Sequence, residues 1–354
     1  MNPKVITLGK RKVGLNHPPL IIAEMSGNHN QSLKRALQIV EAAARSGCDA
    51  IKLQTYTADT MTINCKRKEF FIKDKKSLWS GFYLYDLYKK AYTPWEWHKA
   101  IFKRCKELEI IGFSTPFDES AVDFLESLNV PAYKIASFEN THLPLIKRVA
   151  KTGKPLIIST GMATLNELKE TVLTARKAGC KDIILLKCTS VYPALPKNAN
   201  LLTIADLTNR FKCIAGISDH TNGISVSVAS ITLGARIIEK HFTLRRSDGG
   251  VDSEFSMEPL EMKTLVEESK KAFYALGKVY YGLTKEEQKS KRFRRSVFAV
   301  ENIERGELFT KTNIRVIRPY HGLAPKYFQK ILGKIASKKI KKGTPLKWDQ
   351  ITII

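Results

Sequence analysis

The sequence predicts an α/β fold, a closed (β/α)8 TIM barrel followed by a small β-rich domain. Three observations carry this. Short apolar runs recur eight times, with helix-period segments between most of them. The turn after the first run reads "AEMSGNHNQS" and lacks the G-x-G-x-x-G that a doubly wound open sheet usually places there. The pattern then changes after residue 285 into short β-rich pieces.

In chain order, residues 4–14, "KVITLGKRKVG", read as a small hairpin that serves as a barrel floor. "LIIAEM" (20–25) is the first barrel strand. The segment after it sets Leu33, Ala36, Leu37, Val40, Ala43 and Ala44 on one helical face and stops at Gly47. "AIKLQTY" (50–56) is the second strand. Residues 57 to 109 read as an insertion, rich in aromatics such as Trp79, Tyr85 and Tyr88, that is expected to cover the barrel. "IIGFSTP" (110–116), "AYKIAS" (132–137) and "PLIISTG" (155–161) follow. The next helix begins with a capping box, Thr164 with Glu167, and ends at Gly179. "IILLKC" (183–188), "IAGISDH" (214–220) and "RIIEKHFT" (236–243) complete the eight. Near-continuous apolar runs of this kind suit strands buried on both faces.

The expected domains are 1–284 for the barrel, 285–295 for a charged linker, "KEEQKSKRFRR", and 296–354 for the β domain. That last part contains two similar phrases, "ENIERGELFTKTNI" and "KKIKKGTPLKWDQI", each with a turn at a glycine, Gly306 or Gly343. The echo predicts internal pseudo-symmetry.

Composition narrows the class. The 354 residues are 43% hydrophobic and 26% charged, which is globular. No apolar run reaches the length of a membrane span, and the first residues lack a signal-peptide layout, so no membrane partner is expected. Six cysteines without C-x-x-C spacing read as reduced, cytoplasmic thiols. The net charge of +25 comes without a nucleic-acid motif or interleaved aromatics, so it reads as a basic surface that attracts anionic substrates, and no nucleic-acid partner is expected.

In a parallel barrel the active site forms at the C-terminal strand ends. Those ends carry Glu24, Lys52, Gln54, Ser114, Thr115, Lys134, Ser137, Ser159, Thr160, Lys187, Ser218, Asp219, His220, Glu239, Lys240 and His241. Residues two apart share a direction, which pairs Ser218 with His220 and Glu239 with His241. Two imidazoles on neighbouring strands, completed by waters and substrate oxygens, suit a divalent ion, Mn²⁺ first and Mg²⁺ or Co²⁺ next. His29, after the first strand, is a further candidate for ligand contact. Lys52 and Lys134 with the hydroxyls of Ser137, Ser159 and Ser218 make a cradle for a phosphate or carboxylate. With neither a P-loop nor a dinucleotide loop present, the anion reads as a small phosphorylated acid. Glu24 and Glu139 are candidate catalytic carboxylates, with Glu139 placed beside Ser137 by alternation and able to orient or deprotonate water.

These motifs resemble the sialic acid synthase family, which condenses phosphoenolpyruvate with an N-acyl amino sugar. The resemblance spans nearly the whole chain, through "IIAEMSGNHN", "GFSTPFD", "AYKIASFE", "PLIISTGMAT", "LLKCTSVYP", "GISDHT" and "IEKHFT". It implies that the terminal domain is an antifreeze-like (SAF) domain. It implies that His220 and His241 are the metal ligands. Lys52, Lys134, Ser137, Ser159 and Ser218 then surround phosphoenolpyruvate, and Glu139 lies near the reacting water. Glu24, Gln54, Tyr192 and Asp252 fall at sugar-side or metal-side positions. Arg318, in "VIRPYHG", corresponds to an arginine that reaches the sugar's acyl group in the partner barrel of a domain-swapped homodimer. Where neuraminate synthases tend to read "AEIG-N-HNG" and "CTN-YP", this chain has "AEMSGNHNQS" and "CTSVYP", with Ser190. The departures favour 2,4-diacetamido-2,4,6-trideoxy-L-altrose over the neuraminate or legionaminate precursors. Two rivals are a related aldose-phosphate synthase, which lacks the terminal domain, and a non-catalytic glycan- or nucleic-acid-binding protein.

Overall fold

The computed structural model describes residues 5–352. Lys4, the first residue of the expected hairpin, lies outside the described residues, as do residues 1–3, 353 and 354. The chain divides into two compact units, Met1–Gly277 and Lys278–Ile354.

The first unit opens with a hairpin, β1 (Val5–Leu8) against β2 (Arg11–Gly14), antiparallel. Eight parallel strands then close a barrel: β3 (Leu20–Glu24), β4 (Ala50–Thr55), β5 (Ile111–Pro116), β6 (Tyr133–Ile135), β7 (Leu156–Ser159), β8 (Ile183–Cys188), β9 (Ile214–Ser218) and β10 (Ile237–His241). Closure comes from β10 pairing with β3, His241 beside Glu24. Each strand is followed by a crossover helix. The first, Leu33–Arg45, is capped by the Ser32 side chain and buries Ala36, Ile39, Val40, Ala42 and Ala43. The helix Leu165–Lys177 carries the expected capping box, Thr164 with Glu167.

The alternation along each strand separates two apolar zones. Ile21, Ile51, Tyr133, Ile158, Leu185 and Ile238 point outward into the helices. Leu20, Ile22, Phe113, Ile157, Leu186 and Ile237 point inward and pack with Ile6, Leu8 and Val13 of the hairpin. The hairpin is therefore the apolar plug at the N-terminal end of the barrel. Gly216 belongs to the inward set, and a Cβ there would collide with the Ile237 carbonyl and the Leu186 side chain. A layered barrel interior needs such a small residue opposite a large one.

The long connection after β4 is only in part an insertion. Its last segment, His98–Glu107, is the crossover helix that packs beside β5. What precedes it contains the helices Ala58–Met61 and Leu84–Ala91 and lies over the barrel mouth, where the Trp79 indole donates to the Val251 carbonyl at 2.9 Å. The strands also end earlier than the apolar runs: Ser137, Thr160 and His220 all lie just beyond regular pairing.

In the second unit the charged segment Glu286–Phe293 is an exposed 3-10 helix. Strands β11 (Ser296–Ala299) and β12 (Ile314–Ile317) pair antiparallel, as do β13 (Ile335–Ala336) and β14 (Ile351–Thr352). Its own core includes Val297, Ile303, Phe309, Ile340, Leu346 and Ile351. The repeated phrases fold as a pseudo-symmetric pair. Ile303 and Ile340 exchange both backbone hydrogen bonds. The Gly306 N–H bonds the Ala336 carbonyl, as the Gly343 N–H bonds that of Ala299.

Candidate active site

A cavity of about 350 Å³ opens at the C-terminal ends of the barrel strands. The inward register that fills the floor with aliphatic side chains continues upward into polar ones. Leu20 and Ile22 lead to Glu24, Ala50 to Lys52, Ala132 to Lys134, Ile157 to Ser159, Leu186 to Cys188, and Ile237 to Glu239 and His241.

The deepest polar layer is a four-charge cluster. Lys52 lies 2.5 Å from Glu24 and 3.9 Å from Glu239, and Lys134 lies 3.6 Å from Glu239. Lys52 also donates to Thr115 Oγ1 at 3.1 Å, and the Ser218 hydroxyl donates to Glu239 Oε1 at 3.0 Å. Both lysines are at most 4% exposed, so burial opposes their charge. For Lys52 the carboxylates of Glu239 and Glu24 overcome burial and hold the ammonium above its ordinary pKa. For Lys134 burial prevails over Glu239 and lowers it. Burial also raises Glu24, against Lys52. Glu239 goes the other way, because Lys134, Lys52 and the Ser218 hydroxyl outweigh its burial. Beside them the Ser159 hydroxyl is buried without a hydrogen-bond partner. Two ammonium groups and an unused donor on rigid strands are groups of the kind an anion site uses, although here the lysines pair with Glu24 and Glu239.

Above this layer stand the two imidazoles, with ring centroids 5.4 Å apart. His220 Nδ1 lies 2.9 Å from the Thr189 carbonyl and must donate to it, which leaves Nε2, beside the Cys188 thiol, as the nitrogen available as an acceptor. His241 Nδ1 is buried with no hydrogen-bond partner, and the nearest carboxylate, Asp252 Oδ2, is 3.9 Å away. Burial, with the charges of His220, Lys52 and Lys134, holds His241 well below its ordinary pKa and hence neutral. His220 is raised, because the Cys188 thiol and the Thr189 carbonyl outweigh burial. Tyr192 packs against both rings, at 4.3 Å and 6.1 Å, and Phe255 against His241 at 4.8 Å. Among the described residues no set of three or more His, Cys, Asp or Glu side chains is arranged to hold a metal. The pair offers a divalent ion two ring nitrogens, that of neutral His241, whose Nδ1 is orphaned, and that of His220 once its proton is released, with the His220 tautomer fixed by the backbone.

Glu139 lines the same cavity, although alternation does not put it there. Strand β6 ends at Ile135, and residues 136–139 form a turn in which the Glu139 N–H bonds the Ala136 carbonyl. Its Oε2 is buried and unpartnered, and burial, against Lys134, pushes the carboxyl up to about 7. Asp252 is likewise raised to about 6 by burial, against its bond from Ser26. Gln54 donates to Glu24 Oε1 at 3.0 Å. Ser190 stands behind the wall and donates to Ser137 Oγ at 2.8 Å. Gly161 permits that contact, since its φ is +46° and a Cβ would strike Ser137.

Not every expected residue converges. His29 is buried in the fold, where its Nε2 meets Thr93 Oγ1 at 3.2 Å and its Nδ1 accepts the Gln31 N–H, so the expectation of ligand contact is corrected. Ser114 faces outward and bonds Thr55 Oγ1. Asp219 and Lys240 also point away from the cavity, as their register requires, and Lys187 Nζ is held by the Cys188 carbonyl. Arg318 is an exposed residue of the second unit. Two participants carry roles that sequence reasoning did not assign. Glu239 was already placed beside His241 by alternation. Cys188, read only as a reduced thiol, lies next to His220, and its thiol is lowered because His220 and Lys134 outweigh its burial. Its inward register with Leu186 was the available signal.

The profile of the NeuB family matches residues 39–281. The chain belongs to the NeuB family. The SAF domain profile matches residues 294–352, so the NeuB barrel is followed by a SAF domain. Two relatives are named pseudaminic acid synthase. One, from Helicobacter pylori, is 45% identical over 94% of this chain and 98% of its own. The other, from Campylobacter jejuni, is 43% identical over 92% and 95%. The crystal structure of the N-acetylneuraminic acid synthetase from Leptospira borgpetersenii superposes with a TM-score of 0.72 at 32% identity, covering 81% of this chain and 95% of that one. NeuB proteins are phosphoenolpyruvate-dependent nonulosonic acid synthases, so this chain is an enzyme, and the family generally uses a divalent metal. No helix among the described residues is long and apolar enough to cross a membrane.

Proposed function

We propose that this enzyme condenses phosphoenolpyruvate with 2,4-diacetamido-2,4,6-trideoxy-L-altrose and water, giving pseudaminic acid and phosphate. The observation that carries the reading is the meeting, in one cavity, of the Lys52–Lys134 anion cradle with the His220–His241 pair. The choice of sugar is supported by the relatives' names and by identity along almost the whole chain.

Lys52, Lys134, Ser137, Ser159 and Ser218 bind the phosphate and carboxylate of phosphoenolpyruvate. Glu24, Gln54, Tyr192 and Asp252 shape the sugar side, and Ser190, assigned there by the resemblance, acts through its bond to Ser137. His220 and His241 would hold the divalent ion, Mn²⁺ by donor type, which supplies Lewis acidity toward the sugar's carbonyl oxygen. The C2=C3 π pair of phosphoenolpyruvate bonds C3 to the open-chain aldehyde carbon, the carbonyl π pair moves to its oxygen, which takes a proton and becomes a hydroxyl, and C2 is left as an oxocarbenium-like centre. Water adds at C2, and Glu139 takes its proton, a task suited to a carboxyl with a pKa of about 7. Phosphate then leaves by C–O cleavage while the two lysines offset its charge. Holding the two substrates in register contributes a large share of the acceleration. In the same reading Arg318 binds the sugar's acyl group across a domain-swapped homodimer in the cytoplasm.

The test is phosphate release from phosphoenolpyruvate with a panel of amino sugars, with the product identified by mass. Turnover is expected to be fastest with the altrose derivative. Faster turnover with the precursor of neuraminic or legionaminic acid would reassign the substrate. Release with no sugar in the panel would refute the reading.

A further inference from the structure

Ser26 stands in a conformation that serine avoids. Its φ is +48°, in the left-handed region that glycine enters freely and a residue with a Cβ enters at a cost. It lies two residues beyond the last residue of β3, at the start of a 3-10 turn, and it is only 3% exposed. A position with this backbone would be satisfied by glycine unless the side chain were needed.

The side chain lines the cavity and joins two of its walls. Its hydroxyl accepts from Gln54 Nε2 at 3.1 Å and donates to Asp252 Oδ2. Gln54 Nε2 also donates to Glu24 Oε1 at 3.0 Å. One chain of hydrogen bonds thus runs from the anion cradle through Ser26 to a carboxylate 3.9 Å from His241. Asp252 sits on an irregular loop, and Ser26 is the side chain that fixes its carboxylate by a hydrogen bond among the described residues. Because Gln54 spends its amide hydrogens on Glu24 and Ser26, its carbonyl oxygen is what remains for a ligand. Asp252 likewise has Oδ1 remaining. Both are acceptors, so this wall calls for a ligand that brings donors, such as hydroxyl or acetamido N–H groups, and disfavours a second anion.

We infer that Ser26 is a positioning residue for the amino sugar, aiming the free acceptor oxygens of Gln54 and Asp252 at its hydroxyl and acetamido donors. This rests on the proposed condensation. The strained backbone is the cost of keeping a hydroxyl at that point.

The experiment compares wild type with Ser26→Gly and Ser26→Ala by thermal melting and by KM for each substrate. Ser26→Gly loses the hydroxyl's two hydrogen bonds but relieves the left-handed strain. Ser26→Ala keeps the strain, loses the hydroxyl, and melts below Ser26→Gly. Both raise KM for the sugar about tenfold, the scale of a lost pair of hydrogen bonds, and leave KM for phosphoenolpyruvate within about twofold. An unchanged sugar KM in Ser26→Gly overturns the inference, as do equal losses for both substrates. A wild-type enzyme that turns over no amino sugar refutes the proposed function and this inference with it. Wild-type turnover matched by Ser26→Gly refutes Ser26 alone.

Discussion

Asp219 and Lys240 form a buried ion pair, 3.1 Å from Nζ to Oδ2, on the outer face of the two strands whose ends carry the imidazoles. Each is the chain neighbour of a histidine, Asp219 of His220 and Lys240 of His241, and each points the opposite way. Lys240 also donates to the carbonyls of Thr221 at 2.6 Å and Gly223 at 2.9 Å. Asp219 accepts from the Thr221 N–H, the Thr221 hydroxyl and the Ser227 hydroxyl. The pair therefore pins the backbone from which His220 projects. Lys240→Met leaves the Asp219 charge buried and unpaired, which is expected to cost about 3–5 kcal/mol. Urea unfolding checks the figure, and the double variant Asp219→Asn, Lys240→Met should recover part of the loss.

His220→Ala and His241→Ala are each expected to abolish metal-dependent turnover while the chain keeps its fold. The measurements are bound metal per chain, phosphate release and circular dichroism. Full activity after exhaustive chelation would contradict the metal role of the pair.

Glu139 sets a pH dependence in two ways. Its carboxyl titrates at about 7 in the folded chain, against an ordinary 4.5. The base form accumulates as pH rises through about 7, so turnover limited by water activation rises over the same range. Glu139→Ala should lower turnover far more than the affinity for either substrate. For stability the sign is opposite. A raised pKa favours the folded state below 4.5, and that contribution is lost as pH climbs to about 7. Glu139→Gln is therefore expected to match wild type near pH 4 and to exceed it above pH 7, by at most about 3 kcal/mol. Equal pH profiles for the two proteins would remove Glu139 from this role.

Glu239 is the main counter-charge of Lys134 and a second one for Lys52. Glu239→Gln removes the ion-pair partner of Lys134, while Lys52 keeps Glu24. The ligand-free variant is expected to melt lower than wild type, and phosphoenolpyruvate to raise its melting temperature by more. A smaller ligand-induced shift would show that the lysines do not meet the anion.

Arg318→Ala is expected to weaken sugar binding more than phosphoenolpyruvate binding, since the proposal assigns it only the acyl group. Titration calorimetry with each substrate separates the two cases, and equal losses would sink that assignment.

Much of this protein was legible as a sequence because local periodicity decides it. The eight apolar runs gave the barrel, and the two-residue alternation in "GISDH" and "IEKHF" paired Ser218 with His220 and Glu239 with His241, which do line the cavity, while Asp219 and Lys240, counted with the strand-end groups, turn outward as the same alternation requires. Side-chain direction follows from neighbours in the chain, so no tertiary information is required for it. Height in the cavity and partners across it do not follow in that way. Lys52, Lys134 and Glu239 come from β4, β6 and β10, and only closure of the barrel brings them together. Glu139 and Asp252 are placed by a turn and a loop that have no period to read. The left-handed backbone of Ser26, too, is fixed by contacts made with residues far along the chain, so it became visible only in three dimensions.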